Sequence, residues 1–188
     1  MDRGLLGVVR EVAAAFKDLG IDYVIGGSLA AGALGVPRST NDADLVADVR
    51  AQHMEALVAA LEPRSYANAA MLRDAIGHTG SFNLIHCETA YKVDVFVCGG
   101  DAFRRAQIHR ATRHRVQDLP LPFLSPEDIA LAKLLWYRLG GEVSERRWRD
   151  VLEVLAVHTG RLDEPYLLAT ARSIGVTDLL QRAVAASR

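Results

Sequence analysis

Hydrophobic residues recur every three to four positions at the start of the chain, which is the period of an amphipathic helix. This pattern predicts a helix over residues 4–19. Asp22–Ile25 contains aromatic and β-branched side chains, which favour a short strand. Gly26 and Gly27 interrupt that strand, and a second helix is predicted to begin near Leu29. The N-terminal order is therefore helix, strand, glycine turn and helix.

The middle of the chain alternates between strand and helix patterns. Residues 43–49 have the two-residue period of a strand. Helices are predicted from residue 51 to the proline at 63, and again over 67–76. Two further strand patterns, at 82–87 and 91–97, are separated by a hairpin-sized gap. We therefore expect these two strands to pair antiparallel.

The pattern changes after Gly100. Residues 101–124 combine arginines with short β-like pieces, and the chain from Ser125 onward has the period of a helix throughout. Ser125 offers an N-cap and Pro126 suits the first helical position, so a helix is predicted to begin there. Later helices are predicted over residues 145–158, 164–174 and 177–186.

These elements predict an α/β protein of the α+β type with two lobes. A small mixed sheet flanked by helices is expected over residues 1–100, and a linker segment with a C-terminal helical bundle over residues 101–188. Half of the 188 residues are apolar, which is enough to build a folded core. The cleft between the two lobes is the expected position of a site.

Charge and cysteine content indicate in which cellular compartment the protein is expected and which partners it is expected to bind. The net charge of -1 does not indicate a nucleic-acid-binding protein, although a local basic surface stays open. Arg10, Glu11 and Lys17 interrupt the N-terminal apolar pattern, which argues against a signal peptide or a membrane span. Cys87 and Cys98 are interpreted as small core residues rather than as a disulfide. Together these features favour a cytoplasmic protein.

The candidate chemistry begins with two acids in a predicted strand, Asp42 and Asp44. Side chains two apart on a strand share a face, so both carboxylates point the same way and need a cation. Carboxylate oxygens suit Mg²⁺ or Mn²⁺. Asp94, in the middle of an otherwise apolar strand, is the expected third ligand. The alternatives are a turn role for Asp42 and a solvated strand position for Asp44. For Asp94 the alternative is a salt bridge to Lys92, which shares its face, or to an arginine.

A glycine turn precedes these acids. Gly26, Gly27 and Ser28 lie where a strand ends and a helix begins. The N-terminus of a helix presents backbone N–H groups, and glycine lets a phosphate approach without meeting a Cβ. Ser28 adds a hydroxyl donor. The residues needed for the P-loop and dinucleotide-binding motifs are missing, so an ordinary strand-to-helix turn is the alternative.

In order and spacing, these residues resemble the signature of the DNA polymerase β type nucleotidyltransferases. That signature is a Gly-Ser pair opening a helix, then acid, hydrophobic residue and acid, then one acid on a later strand. The segment YVIGGSLAAGALGVPRSTNDADLV is similar to the branch that contains the AbiEii-type toxins of toxin–antitoxin systems and the MenT proteins. KVDVF, LSPEDIALAKLLW and a downstream RD pair resemble that branch as well, so the resemblance covers residues 20–155.

The resemblance implies a magnesium- or manganese-dependent transfer of a nucleotide from a nucleoside triphosphate to a hydroxyl acceptor. It implies a nucleotidyltransferase core over residues 1–100 and a helical lobe after it. The residues it assigns to metal binding and catalysis are Asp42, Asp44 and Asp94, and those it assigns to the nucleotide are Gly26, Gly27 and Ser28. Arg38, four residues before Asp42, is a further nucleotide-binding candidate because its planar guanidinium can neutralise a phosphate.

The same resemblance adds two residues of the helical lobe to the candidate site. Lys133 would contact the triphosphate or an adjacent group, and Asp150 would lie in the same cleft. The alternatives are ordinary ones: a helix lysine that reaches to solvent, and a surface acid paired with Arg146 or Arg147. Arg38 has an alternative too, as an anchor for the carboxylates of its own loop.

The acceptor stays open at this stage. An RNA such as tRNA is favoured by the resemblance and by residues 104–115, which hold five arginines, two histidines and no acid. A solvated basic face is the alternative for that stretch. A small hydroxylated molecule such as an antibiotic is the second acceptor class. A non-catalytic nucleotide-binding module, or a partner module of an antitoxin protein, is the third hypothesis.

Overall fold

The computed structural model describes residues 4–36, 39–116 and 119–187. Its helices are α1 (Leu5–Asp18), α2 (Gly27–Ala33), α3 (Met54–Leu61), α4 (Ala69–His78), α5 (Ala102–His109), α6 (Pro126–Leu139), α7 (Glu145–Val157), α8 (Glu164–Ser173) and α9 (Thr177–Ala186). Its strands are β1 (Tyr23–Ile25), β2 (Asp42–Ala47), β3 (Ser65–Ala67), β4 (Ser81–His86), β5 (Lys92–Val97), β6 (Thr112–Val116) and β7 (Leu119–Phe123).

The strands form one mixed sheet in the order β3-β4-β5-β2-β1-β7-β6. The pairs β2–β5 and β1–β7 are parallel, and the remaining neighbours are antiparallel. The β4–β5 pair is the antiparallel hairpin that the sequence predicts. The predicted α/β class, with a mixed sheet flanked by helices, is confirmed.

The two faces of the sheet differ in chemistry because polar and apolar residues alternate along its central strands. One face is apolar and buried, and α1 packs on it through Phe16, whose ring lies 5.6 Å from that of Tyr23. The opposite face carries the acids of β2 and β5. The buried residues of the apolar face in these two strands are Ala43, Leu45, Ala47, Val93, Val95 and Val97.

The C-terminal helices pack on one another and, through α6, on the polar face of the sheet. Ser125 caps α6, since its hydroxyl accepts a hydrogen bond from the N–H of Asp128. Leu134 of α6 and Leu155 of α7 are fully buried between the helices. The contact with the sheet is aromatic, because the ring of Trp136 lies 5.6 Å from that of Phe96 on β5. Helix α6 therefore brings its side chains above the acids.

Several expectations need correction. Residues 65–67 form the edge strand β3, and α4 begins two residues later than expected. Residues 102–109 form α5, whose N-cap Asp101 accepts two backbone hydrogen bonds, although only β-like pieces were expected in that segment. Cys87 is exposed where strand pairing ends, so its assignment to the core is wrong, whereas Cys98 is buried.

The division of the chain at residue 100 stays a prediction. The structure adds that β6 and β7, which follow that position, extend the sheet beyond β1. Within the described residues, no helix is both long enough and apolar enough to cross a bilayer.

Candidate active site

Three carboxylates lie together on the polar face of the sheet. Strands β2 and β5 run parallel with Asp44 in register with Asp94, and Asp42 in register with Lys92. Residues in register on neighbouring strands point to the same face, with Cβ atoms about 5 Å apart. Pairing of β2 and β5 therefore brings together acids that lie fifty residues apart in the chain.

The nearby positive charges do not fully compensate the negative charges of the three carboxylates. Burial, the largest cause, and the charges of Asp42 and Asp94 raise the pKa of Asp44 to about 6. Two cations, Lys133 and Lys92, oppose that shift. A site that disfavours its own ionised carboxylate is one where an added cation would be stabilised.

Each of the other two acids has a local partner. The ammonium of Lys92 lies 2.7 Å from Oδ2 of Asp94, so the salt bridge expected as an alternative is present. The hydroxyl of Thr40 donates to Oδ1 of Asp42 over 2.5 Å. Within residues 4–36, 39–116 and 119–187, no three histidine, cysteine or acidic side chains are arranged to hold a metal ion as they stand. The oxygen donors and their common face fit a divalent ion, whose binding would require Lys92 to release Asp94.

The glycine turn lies directly against Asp44. The N–H of Gly26 donates to the carbonyl oxygen of Asp44 over 2.7 Å. Gly27 has a φ of 58°, and a Cβ built on it would lie 1.8 Å from Oδ2 of Asp44. Only glycine fits this position, for conformational and steric reasons alike. Ser28 follows in the first turn of α2, whose N-cap residue is Gly26.

Lys133 and Asp150 form an ion pair between α6 and α7. Nζ of Lys133 lies 2.8 Å from Oδ2 of Asp150, and the two side chains are 15% and 8% exposed. The charge of Lys133 also lowers the pKa of Asp44, which places it beside the acids. Asp150 is therefore a buried acid held by a lysine, and the surface pairing with Arg146 or Arg147 is not what the structure has.

Replacing Lys133 by methionine is expected to lower the free energy of unfolding by about 1–3 kcal/mol, because the ion pair that Lys133 makes with the buried Asp150 would be lost. Urea unfolding measures the change. The double variant Lys133→Met, Asp150→Asn should recover part of the loss, since the buried charge is then removed as well. Lys17→Met, on the exposed side of α1, should change stability little. A double variant no more stable than Lys133→Met would contradict this account.

The arginine-rich stretch over residues 104–115 does not form one solvated basic face. Arg104 donates from Nη1 to the carbonyl oxygens of three residues at the ends of β4 and β5. Arg105 donates to the carbonyl oxygen of Gly99. Arg110 faces three acids and stacks at 3.7 Å on the ring of Tyr166. Three of the five arginines thus hold the fold together. The proposed phosphate contact of Arg38 lies outside the described residues.

A cavity of about 1000 Å³ opens on the other face of the sheet, between α1 and the strands β6 and β7. Tyr23, which lines it, is in register with Ala47 and therefore points away from Asp44. This cavity does not contact the three acids.

The sequence patterns did not predict two residues that lie beside the three acids. Thr40 is signalled only by its position two residues before Asp42, which suits a hydroxyl that bonds to a nearby carboxylate. Asn83 of β4 is in register with Asp94, and no local pattern predicts that pairing.

Solved structures with a similar fold include nucleotidyltransferases and a nucleotidyltransferase-like protein. The antibiotic-resistance factor ANT(2'')-Ia superposes with a TM-score of 0.62 at 16% identity, covering 97% of this chain and 98% of that chain. The lincosamide antibiotic adenylyltransferase LnuA, bound to lincomycin, superposes with a TM-score of 0.52 at 15% identity, covering 79% and 95%. An antigenic nucleotidyltransferase-like protein from Paracoccidioides brasiliensis gives 0.51 at 20% identity, covering 94% and 90%.

Sequence comparison adds nothing to this likeness. No protein-family model and no curated protein sequence matches the chain. At these identities the solved structures show the fold alone. The chain therefore has the nucleotidyltransferase fold.

Proposed function

We propose that the chain is a metal-dependent nucleotidyltransferase that moves a nucleoside monophosphate from a nucleoside triphosphate to a hydroxyl acceptor. One observation carries the proposal: Asp42, Asp44 and Asp94 share a face of the sheet, and Gly27 lies against Asp44. Nucleotidyl transfer needs these two parts together, a cation site for the reacting phosphate and a turn that accepts the leaving phosphates.

The three acids would hold Mg²⁺ or Mn²⁺, which supplies charge neutralisation at the phosphate and lowers the pKa of the acceptor hydroxyl. Gly27 and Ser28, at the start of α2, would bind the β and γ phosphates. Lys133 adds a positive charge above the acids, and Asp150 orients it across the α6–α7 contact. The residues thus act mainly by positioning and by charge compensation.

Two acceptor classes have separate support. The resemblance of the motifs to the AbiEii and MenT branch favours an RNA such as tRNA, with an antitoxin protein as a partner. The fold likeness favours a small molecule, since LnuA was solved with lincomycin and ANT(2'')-Ia with adenylyl-2''-tobramycin. The internal contacts of Arg104, Arg105 and Arg110 weaken the case for a phosphate track. Transfer of a labelled nucleotide to each class of acceptor therefore distinguishes the two.

The test is incubation with each α-labelled ribonucleoside triphosphate and Mg²⁺, in the presence of total tRNA or of a panel that includes tobramycin and lincomycin. Wild-type protein should label one of these acceptors, and Asp44→Asn protein should not. Label on RNA alone would support the toxin branch, and label on a small molecule alone would support the other class. Tight triphosphate binding without any labelled product would instead favour the non-catalytic hypothesis.

Removing divalent ions should abolish transfer and weaken triphosphate binding by at least about tenfold. A triphosphate without a metal brings its own negative charge against three carboxylates, which repel it. Calorimetric titration with and without EDTA measures the binding, and addition of Mg²⁺ or Mn²⁺ should restore both properties. Equal affinity in EDTA and in Mg²⁺ would contradict a metal site at these acids.

A further inference from the structure

We infer that Trp136 and Asn83, with Phe96 packed against the Trp136 ring, form the acceptor subsite and bind the face of a ring that lies beside the reacting hydroxyl. This inference rests on the proposed function, which says that transfer occurs at Asp94 and its neighbours but does not say where the acceptor lies.

The three residues lie beside Asp94 on the polar face of the sheet. Phe96 follows Asp94 by two positions on β5, so the two side chains share a face about 7 Å apart. Asn83 is in register with Asp94 on the neighbouring strand β4, about 5 Å away. An aromatic ring and an amide thus flank the same carboxylate.

Trp136 completes this surface from above. Its ring lies 5.6 Å from that of Phe96, which also has the guanidinium of Arg104 at 5.7 Å, and 43% of Trp136 is exposed. It follows Lys133 by three positions, so both lie on the side of α6 that faces the acids. Trp148, by contrast, is covered by the ring of Tyr137 at 5.4 Å and the guanidinium of Arg182 at 4.0 Å. Trp136 is therefore the tryptophan with ring surface free for a ligand.

The geometry of an in-line displacement assigns this surface to the acceptor rather than to the triphosphate. The leaving phosphates bind at Gly27, at the end of β1, and the attacking oxygen must approach from the opposite side. Across the sheet, the order β1, β2, β5, β4 leads from Gly27 through Asp44 and Asp94 to Asn83. The acceptor therefore lies over β5 and β4, where the amide of Asn83 can bind its hydroxyl groups.

A tryptophan face stacks on nucleobases and on the apolar faces of sugar rings, so the shared chemistry is a flat ring beside a hydroxyl. The first experiment uses Trp148→Phe protein, in which Trp136 is the sole tryptophan, saturated with Mg²⁺ and a non-hydrolysable α,β-methylene triphosphate. Cytidine, tobramycin and lincomycin are then titrated to millimolar concentration. We expect a saturable change in Trp136 fluorescence with cytidine if the acceptor presents a nucleobase, or with one of the antibiotics if it presents a sugar ring.

The second experiment separates acceptor binding from nucleotide binding. Trp136→Ala and Asn83→Ala should each raise the KM for the labelled acceptor about tenfold and leave the Kd for the triphosphate analogue unchanged. Trp136→Phe, which keeps an aromatic face, should restore most of the acceptor affinity. Trp148→Phe is the matched control and should behave as wild type.

Three results would overturn the subsite. The triphosphate analogue alone could change Trp136 fluorescence as much as the ring compounds do, which would make this surface the site of the donor base. All three ring compounds could fail to change it in protein that binds the analogue. Trp136→Ala could weaken analogue binding and leave the acceptor KM unchanged. Failure of the analogue to bind the Trp148→Phe protein would contradict the proposed function itself, and the subsite would fall with it.

Discussion

Replacing Asp44 by asparagine is expected to lower nucleotidyl transfer by at least about a thousandfold and to raise the stability of the metal-free protein. The activity falls because the central carboxylate of the three is lost while its shape is kept. Stability rises because burial and the neighbouring acids raise the pKa of Asp44 to about 6. The ionised group begins to oppose folding above its ordinary pKa of 3.8, and the cost is complete above about pH 6. A neutral amide removes this cost, which is about 1–3 kcal/mol.

Asp48→Asn is the matched control for this variant. Asp48 follows β2 directly. Its carboxylate forms an ion pair with the exposed Arg50 and is not one of the three acids of the site. It should leave transfer unchanged and alter stability by less than about 0.5 kcal/mol. Activity is measured with the labelled nucleotide and stability by urea unfolding in EDTA. Loss of activity in both variants alike would show that the effect is not specific to the three acids.

Replacing Gly27 by alanine is expected to reduce transfer by at least about a hundredfold and to destabilise the fold by about 1–3 kcal/mol. The new Cβ would lie 1.8 Å from Oδ2 of Asp44, and the backbone φ of 58° disfavours any side chain. Relief of that overlap must move either the carboxylate or the start of α2. Both movements disturb the contact between the turn and the acid on which the proposed function depends.

Gly32→Ala, in the same helix, provides the control. Its Cβ would meet nothing within 4 Å, and its backbone is helical. Alanine is favoured over glycine inside a helix, so this variant should be neutral or more stable by up to about 1 kcal/mol, with normal activity. Kinetics and thermal unfolding of the two variants side by side test the claim. Equal activity in Gly27→Ala and Gly32→Ala protein would show that close approach at Gly27 is not needed.

Local patterns predicted most of the helices and strands because each pattern reflects which side of an element is buried. The helices after Ser125 and the β4–β5 hairpin agree with their predicted bounds to within one or two residues. Short elements were harder. Strand β3 has three residues, too few for a period to appear, and α5 is polar enough that its arginines masked its helical spacing.

The sequence by itself determined that Asp42 and Asp44 share a face and that glycines precede a helix, since two-residue alternation and glycine turns are local properties. Tertiary structure alone decided that Asp94 is in register with Asp44, that Asp150 pairs with Lys133, and that Trp136 lies over Phe96. The physical reason is that strand register and helix docking are set by burial between distant segments. No local pattern along the chain records which of those segments will meet.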